Sequence, residues 1–66
     1  MDMKNIIRRM KHAKKLKYDV QLAKEIGLDK RYLSDTQKKG ALPLSMVKWA
    51  IKEKLDLNWI FYGEND

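Results

Sequence analysis

Apolar side chains recur along this chain at helical spacing, in five short blocks punctuated by aspartate, glycine and proline. Ile6, Ile7, Met10, Ala13 and Leu16 fall on one face of a helix, with Asp2 ahead of them as an N-cap. This spacing predicts helix one over about 3–15. Leu22, Ala23 and Ile26 make a shorter stripe, predicting helix two over about 19–26, and it stops at Gly27, the residue best able to take the positive φ that closes a helix. Asp29 can accept hydrogen bonds from the free amides of helix three, about 30–39, which Leu33 anchors inward and Gly40 ends. Pro43 fits the first position of helix four, about 43–54, whose residues Leu44, Val47, Ile51 and Leu55 share a face. Asp56 then caps a dense apolar cluster, Leu57, Trp59, Ile60 and Phe61, as a last helix over about 57–62 that plugs the core and ends at Gly63. The acidic Glu64, Asn65 and Asp66 beyond it are expected to fray. No alternating strand pattern, repeat or low-complexity linker interrupts the series. The fold class is therefore all-α, a compact five-helix domain.

Helix four carries a second apolar set, Met46, Trp49 and Ala50, largely opposite the Leu44, Val47 and Ile51 stripe. Something must cover it. The last helix of the same chain can do so, or a second protomer can, as in a two-fold dimer on a palindromic DNA site. Cover within one chain is preferred, because small domains have few large side chains to spare.

Sixty-six residues make one domain, 1–66, and a chain this short buries only about 60% of the surface it exposes unfolded. The core must be thin. The absence of cysteine removes disulfides and thiolate metal sites, and it suits a reducing, cytoplasmic setting. No apolar run approaches the roughly 20 residues that cross a bilayer, and the start lacks the apolar core of a secretory signal.

The net charge of +6 is unevenly spread. Residues 1–39 carry twelve Lys and Arg against five acids, whereas residues 40–66 carry three Lys against four acids. A basic face releases condensed counterions when it meets phosphate, so nucleic acid is the first candidate partner; solvating lysines are the plain alternative.

Helices two and three must cross closely. Ala23 is small where that crossing falls, Gly27 follows four residues later where the chain turns, and Leu22, Ile26, Leu28 and Leu33 hold the pair on the core. This spacing resembles the helix-turn-helix of repressors, in which the second helix enters the major groove of duplex DNA. The likeness extends through Gln21-Leu22-Ala23, Tyr32-Leu33-Ser34, Lys38-Lys39-Gly40-Ala41-Leu42-Pro43 and Leu57-Asn58-Trp59-Ile60-Phe61-Tyr62-Gly63-Glu64. Over about residues 5–64 the chain resembles the N-terminal domain of temperate-phage CI-type repressors, and Trp-x-x-x-Gly-Glu is the most diagnostic part. The resemblance implies a lambda-repressor-like fold and repression at a double-stranded DNA operator. Three departures stand out. Thr36 replaces a larger apolar residue, which predicts looser packing of helix three. Lys54 stands where relatives often end helix four with glycine. The chain also stops where family members usually continue into an oligomerisation region, so it reads as an excised domain or as a stand-alone short regulator.

Lys30 and Arg31 open helix three. Arginine suits bidentate contact with guanine O6 and N7, the alternative for both residues being phosphate or solvent. One turn later come Ser34 and Asp35, whose carboxylate can accept from cytosine N4 or pair with Arg31. Tyr32 either touches a thymine methyl or a phosphate, or is a partly buried structural residue. Gln21, near the start of helix two, is placed for a phosphate at a helix N-terminus. Lys38 and Lys39 suit phosphates, or simply complement a helix C-terminus. Lys4, Arg8, Lys11 and Lys15 form a row on helix one that can flank DNA; a membrane role conflicts with the use of the opposite face in the core.

His12 has no cysteine or acidic cluster at ligand spacing, so no metal is assigned. No phosphate-binding glycine loop and no nucleophile with a base appear, so neither an enzyme, a small-molecule substrate nor a cofactor is expected. Two functions remain. The first is sequence-specific binding of duplex DNA, with a homodimer on DNA left open, and the second is a helix-turn-helix scaffold that serves as a protein-interaction module or as an inhibitor of another regulator. The positive sign around Lys30, Arg31, Lys38 and Lys39 favours DNA.

Overall fold

A computed structural model describes residues 2–63, and every regular element among them is helical. The elements are α1 (Met3–Ala13), α2 (Asp19–Ile26), α3 (Lys30–Lys39), α4 (Leu44–Lys52) and α5 (Leu57–Tyr62). Three of them keep the bounds read from the sequence. The other two, α1 and α4, stop two residues earlier than 15 and 54, and α4 begins after Pro43 rather than on it. The expected fraying of Glu64, Asn65 and Asp66 falls outside the described residues.

Each start has a local cause. Asp2 accepts from the Asn5 amide at 3.3 Å, Asp29 from the Arg31 amide at 2.7 Å, and Asp56 from the Trp59 amide at 3.2 Å. These bonds satisfy donors that the first turn of a helix leaves free. Pro43 precedes the first helical residue with an extended ψ of 144°, and having no N–H it leaves no donor to satisfy there.

The helix ends explain the two overruns. The Leu28 amide reaches back to Ala23 O at 2.8 Å across Gly27, whose φ is +89°. The same six-residue closure ends α1, with Leu16 N to Lys11 O at 2.8 Å, and α4, with Leu55 N to Ala50 O at 3.0 Å. There the left-handed residue is lysine: Lys15 at φ +56° and Lys54 at φ +57°. Lys54 therefore does the work expected of glycine, and in each motif the following leucine packs against the core.

Met3, Ile6, Ile7 and Met10 of α1 lie at the centre of the core with Leu22 and Ala23 of α2, Leu33 of α3 and Ile60 of α5. From α1 the packing reaches α2, α3 and α5, while α4 joins through α2. Ala13, expected on the inward stripe of α1, is exposed because the helix ends there.

The inward face of α4 is Met46, Trp49 and Ala50, covered by the chain itself. Leu44 and Ile51, expected inward, are 66% and 57% exposed, and Val47 is half-buried at the margin. Trp49 and Met46 offer more apolar surface than the competing pair, and Ala50 lets the helix approach closely. Thr36 is buried rather than loosely held, and its hydroxyl donates to Leu33 O at 2.6 Å, so the polar group carries no unmet bond into the core.

Candidate nucleic-acid interface

Among the helix pairs, α2 and α3 share the most extensive contact. The turn between them is fixed from both sides. Gly27 closes α2 in the left-handed region, and Asp29 starts α3 two residues later. With Leu33 and Thr36 turned into the core and Gln37 half-buried beside them, the other positions of α3 stand out from the body.

Lys30, Arg31, Ser34, Asp35 and Lys38 are all exposed, and they line one shallow depression along the outer side of α3. Their spacing explains why they meet, since residues 30, 34 and 38, and 31 and 35, stack one turn above another. No ion pair joins Arg31 to Asp35 among the described residues, so the guanidinium is not neutralised by its neighbour. The Asp29 carboxylate, the other acid nearby, is engaged with the helix start.

Tyr32 is 47% exposed and stands beside this depression rather than in the core. Lys39 is exposed in the last turn, where unpaired carbonyls give a cation a favourable place, but it lies outside the depression.

Gln21 is exposed near the start of α2, apart from the α3 stripe but connected to it. A second groove, lined by Val20, Gln21, Lys24, Leu28 and Lys30, shares Lys30 with the first. The Gln21 Oε1 accepts from the Lys17 and Tyr18 amides, each at 2.9 Å, which leaves its Nε2 hydrogens as the groups facing outward partners. Val20 and Lys24 are not marked out by the sequence pattern alone, although their positions relative to Gln21 put them on the same side of α2. Val20 is 50% exposed, unusual for a β-branched residue in a small domain.

On the α1 side of α3, Asp19 ties three helices together. Lys11 of α1 reaches its Oδ1 at 2.7 Å, and Gln37 of α3 donates to its Oδ2 at 3.4 Å. The contact fixes that flank of α3 while its outer side stays free. Chemically, such a surface offers positive charge, paired donors and a few acceptors on a rigid support. Among the described residues, no three His, Cys, Asp or Glu side chains gather at metal-binding distance.

Two short helices crossed over a left-handed glycine, the second with its polar side outward, define the helix-turn-helix class of DNA-binding domains. Residues 5–66 match the family model of the bacteriophage CI repressor helix-turn-helix domain, and the chain belongs to that family. No match is found among curated proteins or solved structures. The family is one of DNA-binding transcription regulators, not an enzyme class, and no helix among the described residues is long and apolar enough to cross a membrane.

Proposed function

We propose that the chain binds duplex DNA sequence-specifically, laying α3 in the major groove, and represses transcription by occupying an operator. The observation that supports this most is the outer side of α3, where Lys30, Arg31, Ser34, Asp35 and Lys38 converge without ion-pairing one another. Arg31, in the opening turn, reads a guanine edge, and Lys30 does so or holds a phosphate. Ser34 and Asp35 meet the bases one turn deeper. Tyr32 and Lys39 border the stripe, Lys38 meets backbone phosphate, and Gln21 donates its Nε2 hydrogens to phosphate at the start of α2. The site of action is the cytoplasm, and no cofactor is needed.

Selection of binding sites from random duplexes tests the reading. One enriched sequence is the expected result, and two copies of it in opposite orientation would report binding as a pair. Recovery of no preferred sequence would remove the specific reading.

A further inference from the structure

The basic row of α1 divides once the chain is folded. Lys11 is paired with Asp19 at 2.7 Å, and Lys14, beside the row, with Glu53 at 2.6 Å. Lys4 and Arg8, one turn apart, behave differently. Together with Asn5, Ile7 and the paired Lys11 and Asp19 they line a cleft between α1, the first residue of α2 and the C-terminal half of α3. Gln37 forms its far wall, and the Asp19 charge is already met by Lys11. Lys4 has no polar partner among the described residues. The Arg8 Nε donates to Asn5 Oδ1 at 3.3 Å, and Asn5 is itself held by Asp2 through a 2.6 Å bond. That chain of bonds steadies the guanidinium and leaves its two Nη groups without a partner among the described residues.

Two positive charges four residues apart on a helix repel each other, and a bound anion relieves that repulsion. Position says which anion. Gln37 adjoins Lys38, so the C-terminal half of α3 has the outer depression on one side and this cleft on its α1 side. The major groove is about 12 Å wide, and a helix lying in it has a sugar-phosphate strand along each flank.

We infer that Lys4 and Arg8 form a second backbone-phosphate site, holding the DNA strand that runs along the α1 side of α3. The inference rests on the proposed reading of α3 and adds to it a contact outside the helix-turn-helix. Lys15, two residues past the end of α1 and outside the cleft, takes no part.

Fluorescence anisotropy with a short labelled duplex of random sequence, titrated at several salt concentrations, tests the site. Each neutralised phosphate contributes about 0.9 to the slope of log affinity against log salt. Lys4→Gln and Arg8→Gln are each expected to flatten the slope by about 0.9, and the double variant by about twice that, whereas Lys15→Gln leaves it unchanged. Lys4→Gln breaks no contact, so it reads the site even if Arg8→Gln disturbs α1. If both variants keep the wild-type slope while Lys38→Gln flattens it, DNA binding through α3 stands and the second site falls. An equal loss in Lys15→Gln would mean diffuse charge and would likewise overturn it. Wild-type protein that binds no duplex at low salt would remove the α3 reading and this site together.

Discussion

Lys14 Nζ lies 2.6 Å from Glu53 Oε1, joining the residue that follows α1 to the residue that follows α4. The hydrogen bond to Lys14, reinforced by its charge, holds the Glu53 carboxyl below its ordinary value of 4.5. The hydrogen bond to Glu53, opposed in part by burial, raises Lys14 above 10.5. A carboxyl with a lowered folded-state pKa stabilises the fold fully above its unfolded value, and loses that contribution as pH falls through the folded value. The raised lysine does the reverse, holding its contribution below 10.5 and losing it in stronger base. Glu53→Gln should therefore melt below wild type at neutral pH, with the gap closing in thermal scans taken progressively below pH 4.5. A gap of constant size down to strong acid would show that charge is not what joins the two helix ends.

Lys15 and Lys54 hold left-handed backbone that costs an L-residue roughly 1–2 kcal/mol. Glycine removes this strain but gains freedom when unfolded, so Lys15→Gly and Lys54→Gly should each stabilise by about 0.5–1 kcal/mol in urea titrations. Gly27→Ala should lose about 0.5–1 kcal/mol, the strain less the freedom that alanine removes from the unfolded chain, since nothing lies within 4 Å of where its Cβ would stand. Destabilised lysine-to-glycine variants would refute the shared ending.

The inward side of α4 can be checked by paired substitutions. Met46→Ala should cost about 2–5 kcal/mol, because Met46 is completely buried. Leu44→Ser and Ile51→Ser should each stay within about 0.5 kcal/mol at low protein concentration, as exposed positions do. Comparable losses on both sides would mean that the outer side is covered too.

On DNA carrying the enriched sequence, Arg31→Ala is expected to lose about 1–3 kcal/mol of binding and to relax preference at one base pair. Equal weakening on every duplex would make Arg31 a phosphate contact. Lys38→Ala should instead weaken all duplexes evenly and flatten the salt slope by about one unit; an unaltered slope counts against its phosphate role.

Much of this fold is legible in the residues because its signals are local. Asp2, Asp29 and Asp56 cap from the side chain, and Gly27, Gly40 and Gly63 take positive φ where helices end. Lys15 and Lys54 take the same conformation without the residue type that announces it, which is why α1 and α4 read too long. Periodicity also cannot choose between opposite apolar stripes. Both sides of α4 repeat at helical spacing, and only packing against the rest of the chain selects Met46, Trp49 and Ala50. The outer stripe of α3 is readable because two inward residues, Leu33 and Thr36, fix what must face away. The cleft holding Lys4 and Arg8 is not, since it exists only where α1 meets Gln37 of α3, which follows Arg8 by more than twenty-five residues in the chain.

Because the Gln21 carbonyl oxygen is occupied by two main-chain amides, its carboxamide is oriented before any ligand arrives. A side chain of this length ordinarily surrenders rotational freedom on docking, a loss of about 0.5–1.5 kcal/mol. Folding has already absorbed that loss here, so under the proposed reading α2 would offer DNA a preorganised donor whose aim costs nothing further at the moment of encounter.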